Sequence, residues 1–303
     1  MIKSLRPSRF AAALAATCLL GLSACGSVSS TSNAFSVNGT GYSQADFNKL
    51  SDILISAGQF TAVNGKIKAA DASVVLRTLI RYEAFLQFMK VHKLAILESD
   101  KADVLKNANA DAKFPTYPKE LQDILINFNV ADITLKKMAP PAIGDIEKLY
   151  SASPATAGVL CLSHILVKTE AEAQTVLADL KSGTKFAAEA AKKSIEPGAD
   201  KSGGSLANGK EPCQALADLQ TSFDKDFMIG AVAAKPGVPT GPVKSSFGYH
   251  IILSAPFADV KDSVATVVAE NPGTTLLAGY MSTADIKVSS TYGIWNGATA
   301  TIS

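Results

Sequence analysis

The chain is poor in the residues that most often carry chemistry. Its 303 residues include three histidines (His92, His164, His250), four cysteines and one tryptophan. No third ligand is spaced to join a histidine pair around a metal, and no nucleophile stands beside a base, so the residues point to no metal and no organic cofactor. A formal net charge of +2, with no basic stripe interleaved with aromatics, excludes nucleic acid as an expected partner. Long apolar runs are missing too: Phe10 to Leu22 is short of the roughly 20 residues that span a bilayer.

What is present describes an exported globular protein. A hydrophobic content of 47% with 18% charged residues suits a packed core, and the length suits one large domain or two modest ones. Lys3, Arg6 and Arg9 precede the apolar run, the order of an export signal. The run ends in Leu22-Ser23-Ala24-Cys25, which resembles a bacterial lipobox; residues 1–24 are then a lipoprotein signal peptide and Cys25 the acylated anchor to a lipid bilayer. The alternative is an ordinary cleavage site with an incidental cysteine. Residues 25–34 have the Gly, Ser and Thr composition of a flexible tether. Cys18 leaves with the signal, so Cys161 and Cys213 remain, either as a disulfide or as two buried thiols.

From residue 35 to 153 the periodicity is mostly helical. A short strand runs to the Asn38-Gly39 turn, and Ser43 with Asp46 starts a helix before Phe47. Apolar residues recur at helical spacing from Ala72 to Val91, a further helix starts near Ser99, and others are predicted over Lys119 to Met138 and Asp145 to Tyr150. His92 is read as a helix C-terminal cap. No catalytic constellation falls in this region.

Residues 158–257 differ in character. Leu162 to Val167 and Gly248 to Ile252 are β-branched strand segments that each carry a histidine, helices are predicted over Glu170 to Lys181 and from Lys185, Ser194 to Gly204 reads as a mobile loop, and Leu206 is expected to begin a short strand. On spacing alone, His164 and His250 read first as satisfied core histidines. After this block come helices over Phe257 to Ala269 and Thr274 to Met281 and a strand at Ile286 to Val288.

Ser163-His164-Ile165-Leu166-Val167-Lys168, Gly203-Gly204-Ser205-Leu206, Lys235-Pro236-Gly237, Gly241-Pro242-Val243 and Phe247-Gly248-Tyr249-His250-Ile251-Ile252 resemble, in collinear order, the parvulin family of peptidyl-prolyl cis-trans isomerases. The regions flanking the block are more loosely similar to exported foldases of the SurA and PrsA type. The resemblance implies an α+β protein: a helical N-terminal domain (35–153), a small isomerase domain with a mixed, mainly antiparallel sheet (158–257), and a C-terminal helix and strand (258–303) that return to the first domain. It also implies site roles. His164 and His250 are the paired imidazoles, Ser245 a hydroxyl in their hydrogen-bond network, and Glu196 stands where the family has Asp or Cys beside the substrate carbonyl. Leu206 and Phe227 line the proline pocket, and Phe223 takes the place of its methionine. Without the resemblance, Glu196 reads as a solvated loop carboxylate.

Two departures stand out: Gly203-Gly204-Ser205-Leu206-Ala207-Asn208 replaces the family's Gly-Gly-Asp-Leu-Gly followed by an aromatic, and an extra segment holding Cys213 and a predicted helix from Gln214 to Leu219 lies before Phe227. The implied function is isomerisation of X-Pro bonds in unfolded exported polypeptides by a membrane-anchored, extracytoplasmic foldase. The alternative is a binding-only chaperone with an inactive parvulin module.

Overall fold

The computed structural model describes residues 32–207 and 209–303. The signal, Cys25 and most of the tether lie outside the described residues. Among those described, no helix is long and apolar enough to cross a membrane.

The helical part is organised around Ala69–His92, whose Leu76, Ile80, Ala84 and Phe88 are completely buried. Positions four apart share one helix face, so the spacing itself builds the core stripe. Lys119–Lys136 packs against it, and Gln44–Ser56, capped by Ser43 on the Asp46 N–H, sends Phe47 and Leu50 into the same core. Strand Asn33–Val37 turns at Asn38-Gly39, both at positive φ, into Thr40–Ser43. Such a turn matches the twist of the two strands it joins.

The chain's end returns here. Ile286–Val288 pairs antiparallel with Asn33–Val37, and Leu276, Leu277 and Met281 of helix Pro272–Thr283 enter the same core as Leu76 and Phe85. The preceding helix, Phe257–Glu270, lays Val264, Val267 and Val268 on Ile146, Tyr150 and Val159.

The second sheet is antiparallel in the order Leu162–Val167, Gly248–Ser254, Thr240–Ser245, with one parallel bridge from Pro236 to Ser254. Residues directly opposite share a sheet face. Leu162, His164, Leu166, His250 and Ile252 therefore lie on one side, while Ile165, Val167 and Ile251 face helices Glu170–Lys181 and Phe186–Lys193. Thr169 starts the first of those helices with a capping box to Glu172.

Three expectations are corrected. Leu206 begins no strand: Gly203 and Gly204 hold φ +62° and +82°, outside the β region, so pairing shrinks to a bridge between Ser163 and Ser205. The predicted helix from Gln214 starts later, because Gln214–Ala215 pairs with Val159–Leu160 before helix Leu216–Ser222 begins. His92 ends its helix but is not the cap; left-handed Lys93 is, and the imidazole packs on Phe88 with ring centroids 4.1 Å apart.

Cys161 and Cys213 are joined, tying the extra segment to the strand that leads into the sheet. Closing a loop of this sequence separation, 52 residues, restricts the unfolded chain. Replacing both cysteines by alanine is expected to lower stability by about 2–4 kcal/mol, read as a lower urea midpoint; an unmoved midpoint would count against it.

Candidate active site

The site lies on the His164 face of the sheet. In the antiparallel register His164 is opposite Ile252 and His250 is opposite Leu166, so the two imidazoles are diagonal neighbours. Their Nδ1 atoms are 3.1 Å apart, and the Ser245 hydroxyl is 2.7 Å from His250 Nε2. Ser245 is placed by the tight turn to Gly248, where its Oγ also accepts the Phe247 N–H at 3.1 Å.

Both histidines are nearly sealed, with His164 5% and His250 4% exposed. Burial disfavours the charged imidazolium and pushes each pKa down to about 4. For His250 a charge on His164 would lower it further, while Asp224 and Glu196 pull the other way. The pair is therefore neutral at pH 7.

Neutrality and geometry together fix the protons. His164 Nε2 has no hydrogen-bond partner among the described residues and lies 3.7 Å from Glu196 Oε2. A lone pair aimed at a carboxylate would be repelled, so Nε2 carries the hydrogen. His164 Nδ1 then accepts from His250 Nδ1–H, and His250 Nε2 accepts from the Ser245 hydroxyl. The chain of donors ends in a buried N–H pointing at Glu196.

Glu196 is held there although its side chain is 43% exposed. The Ile195 N–H donates to the Leu166 carbonyl at 2.8 Å, and the Ser194 hydroxyl accepts the N–H groups of Leu166 and Glu196. The Ser194 to Gly204 stretch, read from sequence as a mobile loop, is thus tied to the His164 strand and contains a helical turn, Ala199–Ser202. Gly204 is required for this approach: a Cβ there would sit 2.4 Å from the His164 carbonyl oxygen.

The apolar wall comes from helix Lys225–Ala233. Asp224 caps it by accepting the Asp226 and Phe227 N–H groups, which fixes Phe227 in its first turn. Phe227 is 2% exposed and meets His164 and His250 edge to face, with centroids 5.7 and 5.1 Å away. Phe223 stacks on it at 5.3 Å, and Leu206 and Phe223 are half-buried on the same cluster. Gln214 of the extra segment donates to the Leu206 carbonyl at 2.7 Å, so that segment is tied to the Leu206 end of this cluster. Asp224, the residue that sets Phe227, was missed in the sequence; its signal was the N-cap position itself.

Fold and site together describe a parvulin-like isomerase domain, and the comparisons with known proteins agree. The family model of the rotamase, or PPIC-type PPIase, domain matches residues 164–255. The chain is 32% identical over 221 residues to the putative peptidyl-prolyl cis-trans isomerase Cbf2 of Campylobacter jejuni, covering 66% of this chain and 76% of that protein. It belongs to the parvulin-type peptidyl-prolyl cis-trans isomerase family. It is also 44% identical over 91 residues to the foldase protein PrsA of Clostridium kluyveri, a match spanning 30% of this chain and 25% of that protein's length. Among solved structures, PrsA from Bacillus subtilis aligns over 84% of this chain and 93% of its own, with 21% identity and a TM-score of 0.30.

Proposed function

We propose that the chain is a peptidyl-prolyl cis-trans isomerase acting as a foldase on exported polypeptides. In this reading it is anchored through acylated Cys25 on the outer side of a membrane. Residues 158–257 are the isomerase domain, inserted into a helical domain made of 35–153 and 258–303. The pairing of Ile286–Val288 with Asn33–Val37 supports that division.

The observation that carries the reading is the convergence of three things: a buried neutral histidine pair ending in an unpartnered N–H, a carboxylate beside it, and an aromatic wall. Rotation about an X-Pro bond meets a barrier of about 20 kcal/mol because amide resonance must be broken, and no covalent step is required. Phe227, Phe223 and Leu206 grip the proline ring in a dry pocket. As the amide twists, its nitrogen pyramidalises and its carbonyl loses polarity, so polar groups placed for that redistribution favour the twisted state over the planar one. Glu196 faces the carbonyl, and the His164 N–H orients Glu196. Ser245 and His250 hold His164 in its tautomer.

Cis-to-trans turnover of a proline tetrapeptide panel by the protein tests this. Glu196→Gln is expected to lower kcat/KM on the order of tenfold, with stability unchanged because the side chain is half in water. Replacing His164 along with Glu196 is expected to abolish turnover. No turnover from folded wild-type protein on any peptide would reject the isomerase and leave the binding-only chaperone. The extra segment at the Leu206 edge is the feature that favours that second reading.

A further inference from the structure

After Arg9 the chain has only two arginines, Arg77 and Arg81. They stand four residues apart on Ala69–His92, on one helix face. Both line a cavity of about 270 Å³ whose other walls include Thr78, Thr274, Gln220 and Trp295. Arg81, Thr78 and Leu277 also line a second cavity of about 350 Å³, walled by Tyr82, Phe85 and Phe128. The shared residues set the two cavities side by side as a cleft, with arginines lining one part and aromatic rings the other.

Neither arginine has an ion pair or side-chain hydrogen bond among the described residues. No acidic residue lines the first cavity, and Asp132, which lines the second, is paired with Lys136 at 2.6 Å. Two like charges at this spacing repel each other. Helix packing needs neither, since both lie outside the buried Leu76, Ile80 and Ala84 stripe. Guanidinium groups match carboxylates two hydrogen bonds at a time.

We propose that this cleft is a second polypeptide-binding site, which docks a segment carrying a carboxylate next to an aromatic or large aliphatic side chain. The carboxylate sits between Arg77 and Arg81, and the apolar side chain enters the Tyr82, Phe85 and Phe128 pocket. Either a chain's free C-terminus or an internal Asp or Glu supplies that chemistry. The choice of a polypeptide rests on the foldase reading. The cleft is separate from the histidine site, so the two fail separately.

Trp295 is the chain's sole tryptophan, and its indole N–H is buried without a partner, so its emission reports on the cleft. The full protein is titrated with tryptophan-free hexapeptides: one ending in Phe with a free carboxylate, the same peptide amidated, and an amidated peptide with internal Glu-Phe. Inorganic phosphate is the fourth probe. Saturable emission changes are expected with either or both carboxylate peptides, and which one binds tells free terminus from acidic side chain. Arg77→Gln and Arg81→Gln should each weaken binding about tenfold or more, while proline-tetrapeptide turnover stays at its wild-type level. Arg81 is exposed, so its variant should fold whatever happens to Arg77→Gln. Four results would overturn the proposal: no saturable change with either carboxylate peptide, equal binding of the fully amidated peptide, undiminished binding by Arg81→Gln, or phosphate binding to which peptides add nothing.

Discussion

Lowering the pH from 7 to 5 is expected to destabilise the protein by about 4 kcal/mol, about 2 kcal/mol for each of two buried imidazoles. His164 and His250 have folded pKa values pushed down to about 4, against an ordinary value of 6.5. The sign follows from proton counting. Above pH 6.5 neither the folded nor the unfolded chain protonates these rings, and stability is at its full value. Between 6.5 and 4 the unfolded chain binds protons that the folded chain excludes, so stability falls with pH. Below about 4 both states are protonated and this loss stops growing. Because the rings share a hydrogen bond, the two protonations belong to the pair. Urea unfolding at pH 7, 6 and 5 reads the effect directly. His250→Asn should flatten the slope by about half, since one titrating ring is gone. A stability constant across that window, or His164 and His250 resonances titrating near 6.5 in the folded protein, would contradict the neutral pair.

That neutrality bears on how the site works. A ring that stays uncharged from pH 7 down to 5 does not shuttle protons in a reaction that needs none. In the proposed mechanism its use is geometric: the tautomer chain from Ser245 through His250 to His164 delivers an N–H toward Glu196. Sealing two imidazoles in an apolar sheet face costs stability in acid and gives the site a fixed donor.

Much of the fold was readable because it rests on periodicity. The helix expected over Ala72 to Val91 is Ala69–His92, and the one expected over Lys119 to Met138 is Lys119–Lys136. Long amphipathic helices announce themselves over several turns. The hairpins at Ala62–Val63 with Lys66–Ile67, and at Trp295–Asn296 with Thr301–Ile302, did not, since two residues a side give no alternation to detect. The site is harder to read for a different reason. His164 and His250 are 86 residues apart, and only a register links them; strand pattern alone left them as core histidines. Glu196 reaches His164 through a backbone bond between Ile195 and Leu166 that side-chain chemistry does not encode. The departure at Gly203-Gly204-Ser205-Leu206 was visible, but its outcome depended on two glycine φ angles. Arg77 and Arg81 sat unremarked in a helix whose apolar stripe accounted for its sequence, because what distinguishes them is the missing partners.

Phe227→Ala is expected to cost about 3–5 kcal/mol of stability and to lower turnover on the order of 10²-fold. The ring is 2% exposed and is the common neighbour of His164, His250 and Phe223. Truncation leaves a cavity bordered by two imidazoles, and water entering it would compete for the hydrogen bond between them. Both effects share one cause, so two companions are needed to separate them. Phe227→Leu keeps most of the apolar volume and should recover more than half of the lost stability while restoring turnover only in part, because a planar wall against the proline ring is missing. Phe223→Ala removes a half-buried ring from the pocket and should raise KM with little change in stability. The measurements are urea unfolding and proline-tetrapeptide kinetics at a temperature where each variant stays folded. If Phe227→Ala were as stable as wild type and fully active, the ring would be neither core nor wall, and the pocket assigned to Leu206, Phe223 and Phe227 would have to be moved elsewhere on the sheet.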